Sequence, residues 1–121
     1  MGGGGASSGG AGRRYFRRSF PAPRKGRPVH RMHWYLKQLH KQILATIAGI
    51  TTPVLQTVDR LEAGFHRFMH GKWGTIEDSY NDKLRQWLRA HPTASADDLF
   101  RQVGQEREMW IDLYEEYLLL D

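Results

Sequence analysis

No stretch before residue 29 has the composition to build a core. Residues 1–12 are glycine, alanine and serine after the initial methionine, and 13–28 interleave cations with Tyr15, Phe16 and Phe20 before passing Pro21, Pro23 and Pro28. Glycine-rich chain has little to bury against its ordering entropy, and proline at that density opposes a helix. The expectation is a flexible Gly-rich and basic arm over 1–28, disordered in isolation to about residue 25. A single small domain over 29–121 follows, its boundary falling between Lys25 and Val29.

Charge divides the chain along similar lines. Ten Lys and Arg precede Asp59, the first acidic residue; from Asp59 onward there are eight basic and thirteen acidic residues, so the two parts carry +10 and −5. This asymmetry points to a nucleic-acid or anionic contact at the N-terminal side, with a solvated basic tail as the simpler reading. Arg13, Arg14, Arg17, Arg18, Arg24, Lys25, Arg27 and Arg31 are the candidate phosphate contacts, and Tyr15, Phe16 and Phe20 are placed to stack on bases. The absence of cysteine removes disulfide frameworks and thiolate sites. No apolar run approaches the ~18–20 residues of a membrane span.

Hydrophobic spacing predicts a mostly helical domain. Leu36, Leu39, Ile43 and Ile47 fit a helix over Met32–Ala48, with Gly49 to cap it. The β-branched stretch Val54–Arg60 reads as a short strand whose start Pro53 confines to an edge. A short helix over Leu61–His70 ends at Gly71. Tyr80, Leu84, Trp87 and Leu88 mark an amphipathic helix over Ile76–Ala90, stopped by Pro92. Ser95 with Asp98 is an acidic form of the capping box, opening a last helix striped by Leu99, Val103, Trp110, Leu113 and Tyr117, with Gly104 as a possible break. The tryptophans Trp34, Trp73, Trp87 and Trp110 read as core anchors.

Five of the six histidines lie between positions 30 and 70. His66 and His70 are spaced i, i+4, so a helix projects both rings from one face. A helical pair of this kind holds a metal only when further ligands join it. It also lacks the Glu of His-Glu-x-x-His, which argues against a metalloprotease. His30 and His33 form a second cluster, His40 reads as a polar-face residue, and His91 as a C-terminal histidine complementing its helix dipole.

The order of these features carries a resemblance. A basic segment with His33 leads to Gly49-Ile50, an extended stretch over Val54–Val58, and His66 with His70-Gly71. Tyr80-Asn81 and then His91-Pro92-Thr93-Ala94-Ser95-Ala96-Asp97-Asp98-Leu99 complete it. Thinly spread over Pro28–Glu108, this resembles the HNH, or His-Me finger, nuclease domains of bacterial polymorphic toxins.

The resemblance implies a mainly α fold with a small β element, a ββα-metal core and C-terminal helices. It also implies a metal-dependent endonuclease that hydrolyses phosphodiester bonds. In those terms His33 is the general base, with His30 able to replace it. Asn81 positions a histidine or the metal, and His66 and His70 hold a divalent ion (Mg²⁺, Mn²⁺ or Zn²⁺). The family usually has adjacent histidines where this chain has Met32-His33, and methionine is a poor ligand for a hard ion. Implied partners are nucleic acid and an immunity protein, in a chain secreted or delivered to a target-cell cytoplasm. A different class fits the composition as well: a non-catalytic helical accessory subunit of an organellar ribonucleoprotein or respiratory complex, placed in the mitochondrion.

Overall fold

The computed structural model describes residues 14–71 and 80–120. Strand β1 (Val29–His33) is followed by a one-turn 3-10 segment (Lys37–Leu39) and helix α1 (His40–Thr46). Next come a single turn α2 (Thr52–Leu55), strand β2 (Val58–Glu62) and α3 (Ala63–Met69). Helix α4 (Tyr80–Ala90) and the long α5 (Ala96–Leu119) complete the order. The two strands pair antiparallel, Val29 opposite Glu62 through His33 opposite Val58. The fold is mainly helical with one small sheet, as the spacing predicts. None of the helices among the described residues is long and apolar enough to cross a membrane.

Several boundaries differ from the expectation. Val29–His33 is a strand where a helix was expected to begin, and its burial alternates, Met32 fully buried beside exposed Arg31. Period two wins there because β2 supplies a ladder partner. The aliphatic stripe itself is correct: Leu36, Leu39, Ile43 and Ile47 are all buried. Pro53 sits in the first turn of α2, the helix position that tolerates it, so the second strand starts only at Val58 and takes Leu61 and Glu62 with it. Gly49 and Gly71 follow α1 and α3 with φ of +88° and +63°, the left-handed backbone that glycine adopts without penalty. Of the expected helix over Ile76–Ala90, residues 76–79 lie outside the described residues, as does Trp73.

The capping box of α5 is formed: Asp98 N donates to Ser95 Oγ, and Ser95 N to Asp98 Oδ2. The backbone hydrogen bond holds the Asp98 carboxyl below its usual range. The helix runs unbroken through Gly104, whose role is to admit the arm. A Cβ there would lie 2.5 Å from Tyr15 Cβ and 2.9 Å from Tyr15 O.

From residue 14 the arm is extended and lies along α5. Tyr15 Oη donates to Asp97, and Arg14 pairs with the same carboxylate at 3.2 Å. Arg18 meets Glu108, Asp112 and Glu115 at 3.4, 2.8 and 3.1 Å, and Phe20 packs on Tyr114. Arg24 then clasps the buried Glu62 of β2 through two guanidinium hydrogen bonds of 2.9 and 2.8 Å and one from its own backbone N–H. The Arg24 hydrogen bonds hold the Glu62 carboxyl below its usual range. Part of the +10 and −5 asymmetry is therefore complementarity within one chain. Exposed pairs of this kind contribute little singly, and the aromatic contacts beside them carry more.

One buried node joins the elements. Asp59 Oδ2 of β2 accepts from Trp34 Nε1 just after β1 and from Arg107 Nε of α5, both at 2.7 Å. Phe16 and Phe20 cover the guanidinium, their ring centroids 4.5 and 5.8 Å from it. Arg107 is 4% exposed, so removing its counter-charge strands a cation in a poorly hydrated site.

Asp59→Asn should therefore lower stability by about 3–5 kcal/mol, measured by urea unfolding. Gly104→Ala, which on an open helix would add up to about 1 kcal/mol, should instead detach the arm. Limited proteolysis between residues 14 and 28 should then accelerate; an arm as resistant as in the wild type would show that Tyr15 does not fix it.

Candidate acid–base site

The strand fixes which histidine reaches the helix. His30 and His33 are three residues apart, a spacing that shares a face on a helix but splits across a strand. His30 points with Met32 to the inner face, while His33 points with Arg31 to the outer one. Helix α3 follows β2 directly and carries His66 one turn before His70, so both rings stand on one side. Their N-terminal neighbour Phe65 is buried among Trp110, Tyr114 and Tyr117, which fixes the rotation of α3 about its axis. Helix α4 begins with buried Tyr80, whose hydroxyl donates to the Trp34 carbonyl at 2.6 Å. That bond places the next residue, Asn81, beside His70.

The result is a row of four side chains from three elements. His30 Nδ1 and His66 Nδ1 are 3.0 Å apart, His66 Nε2 and His70 Nε2 2.9 Å, and His70 Nδ1 and Asn81 Oδ1 2.7 Å. The rings meet nearly at right angles, 88° between His30 and His66 and 87° between His66 and His70. Neutral imidazole has one donor and one acceptor nitrogen, so a single choice propagates. With Asn81 Oδ1 accepting, His70 donates from Nδ1 and accepts at Nε2. His66 then donates from Nε2 and accepts at Nδ1, and His30 donates from Nδ1. The basic lone pair is left on His30 Nε2.

The metal expectation meets a specific geometry. His66 Nε2 and His70 Nε2 have about the separation of two nitrogens each ~2.0–2.1 Å from one ion. His30, however, approaches the opposite nitrogen of His66, away from that pair. Among the described residues no three His, Asp or Glu side chains are grouped to hold an ion. The described side chains compose an acid–base row and fall short of the three protein ligands that a catalytic zinc takes.

The other candidates are spread. His33 lines a separate hollow with Arg31, Lys37 and His40. Burial first, then the charges of Lys37, His40 and Arg31, hold its imidazole below the usual histidine value. His40 Nε2 donates to the Tyr35 carbonyl. His91 Nδ1 donates to the Trp87 carbonyl at 2.8 Å, and its ring stacks on Trp87 at the end of α4. Of the candidate cations, Arg14, Arg18 and Arg24 pair within the chain, Arg27 also acts on Glu62, Arg17, Lys25 and Arg31 are exposed, and Arg13 lies outside the described residues. Sequence spacing signals His66 and His70, and the resemblance alone signals Asn81. Preferring His30 over His33 requires knowing that residues 29–33 form a strand.

No protein-family model, no curated protein and no solved structure matches this chain. Its chemistry is read from the four side chains. Nitrogen-15 NMR should find His70 as the Nδ1–H tautomer at neutral pH, and Asn81→Leu should abolish that preference by removing the acceptor.

Proposed function

We propose that this chain is a phosphodiester-cleaving nuclease domain of the HNH type, with His30 as its general base. The observation that carries the reading is the row His30–His66–His70–Asn81, built from β1, α3 and α4. The succession β1–β2–α3 supports a ββα core, with one histidine on the first strand and two on the helix.

Phosphodiester hydrolysis needs a base that is neutral near pH 7, and imidazole is the side chain that supplies it. His30 Nε2 takes the proton from the attacking hydroxyl group or water. Its Nδ1–H remains directed at His66, so the imidazolium that forms is oriented and partly stabilised through the row. Solvent water protonates the leaving oxygen, and the imidazolium returns its proton to the hydroxide so formed, restoring the base. His66 and His70 act as positioning residues for His30, and Asn81 sets the direction of the whole row.

A second reading has its own observation. Leu119 and Leu120 are 84% and 81% exposed, and Phe68, Leu113, Tyr117 and Leu120 help to line an apolar hollow of about 480 Å³. Such a surface suits an accessory subunit that docks on a partner. Cleavage assays separate the two.

Purified protein should nick plasmid DNA or cut RNA, assayed with Mg²⁺, Mn²⁺, Zn²⁺ and EDTA in parallel. His30→Ala should reduce the rate by about 10²–10⁴-fold while His33→Ala changes it far less, circular dichroism confirming that both fold. Equal loss in the two variants would remove His30 from the role. Absence of cleavage by wild type under every condition would favour the accessory reading.

A further inference from the structure

The outer face of the two-stranded sheet gathers cations, and Glu62, the carboxylate on that face, is already clasped by Arg24. Arg31 and Arg60 are directly opposite each other in the β1–β2 register, so their side chains leave the same face, and both are exposed. Like charges at facing positions destabilise a sheet. No ion pair with a described residue relieves them.

On one side of this pair lies a hollow of about 540 Å³ lined by Arg31, His33, Lys37, His40, Gln56 and Val58, without an acidic residue. On the other side is one of about 590 Å³ that includes Lys25, Arg27, Val58 and Arg60. Val58 lines both, so the two run together across the strands. Asp59, the acidic residue at the second hollow, already accepts from Trp34 and Arg107. A face that retains this repulsion, beside an arm whose Arg14 and Arg18 are neutralised by α5, is complementary to an external polyanion.

We propose that this face is a binding track for the phosphodiester backbone of a nucleic acid, with Arg31 and Arg60 flanking one phosphate and Lys37 and His33 meeting a neighbouring one. The occupant is a chain of phosphates, since both hollows are concave and cationic. A membrane surface would need exposed apolar side chains, and Phe68, Leu113 and Leu120 line a different hollow. The track goes beyond the nuclease reading: it lies on the face of β1 opposite His30, and its test does not depend on cleavage. Protonation tunes it. His33 is faced by Arg31 of its own strand, Lys37 of the 3-10 segment and His40 of α1, which disfavour its charged form. A bound phosphate offsets that repulsion, so binding should tighten as the solution becomes mildly acidic.

The test is fluorescence anisotropy of a labelled single-stranded DNA oligonucleotide with the full chain, in the cold and in EDTA, over a range of salt. The oligonucleotide's integrity is followed on a gel. Wild type should bind with a steep salt dependence, and more tightly in mild acid than at neutral pH. Arg31→Ala with Arg60→Ala should make the slope of log K against log salt shallower by about 0.7, the contribution of the one phosphate they flank. Its Tm should be equal or higher, because the facing repulsion is gone. A structural role for the two arginines would give a lower Tm instead, and that result overturns the proposal. So would no oligonucleotide binding, an unchanged slope, or capture by phosphatidylserine vesicles without oligonucleotide binding. Binding that follows this pattern in a wild-type protein that cuts nothing supports the track and refutes the nuclease.

Discussion

A cation with almost no access to water holds this fold in one arrangement. Arg107 is inserted from α5 between the arm's phenylalanines and the carboxylate of Asp59, which also receives the Trp34 indole. A buried ion pair adds little net stability over an apolar core, but breaking one is expensive, so it penalises every packing that separates its members. Here the members come from β2, the segment after β1, and α5, with the arm as cover. Misplacing any of the four leaves a charge without its partner. Trp34 transmits the constraint further, because its carbonyl receives the Tyr80 hydroxyl that sets the start of α4.

The histidine row inherits its geometry from that node. Asp59 and Trp34 fix how the strands lie against α5, and the direct step from β2 into α3 leaves no slack between the sheet and His66. The three imidazoles therefore meet because three supports are independently held. The sheet also separates two chemistries at neighbouring residues. His30 faces inward to other imidazoles, and Arg31 faces outward to solvent. One strand thus carries an imidazole to one side and a guanidinium to the other.

Helices were the readable part of the sequence. Ser95, Asp98 and Pro92 mark the start of α5 through local hydrogen bonding and backbone sterics, and Tyr80, Leu84 and Leu88 reveal the buried side of α4 by spacing alone. Strand β1 was hidden because its evidence is non-local. Five residues pair with a segment some thirty positions away, while a strong aliphatic stripe begins only three residues after them. The site was half legible for the same reason. His66 and His70 follow from helical spacing and Asn81 from the resemblance, but choosing between His30 and His33 turns on strand parity. The arm was the larger miss, since salt bridges spanning more than eighty residues leave no periodic trace; only Gly104, misread as a weakness, recorded the contact.

The carboxylates that receive the arm make α5 an internal competitor for it. Asp97, Glu108, Asp112 and Glu115 hold Arg14 and Arg18 in the manner of a bound polyanion, and these pairs are largely open to solvent. Ions screen such contacts within a Debye length of ~8 Å at physiological strength, while the enclosed Arg24–Glu62 and Arg107–Asp59 pairs are screened far less. Concentrated salt therefore loosens Arg14 and Arg18 before it reaches the Arg24–Glu62 clasp, while Tyr15, Phe16 and Phe20 hold the arm in place by contacts that carry no net charge to screen.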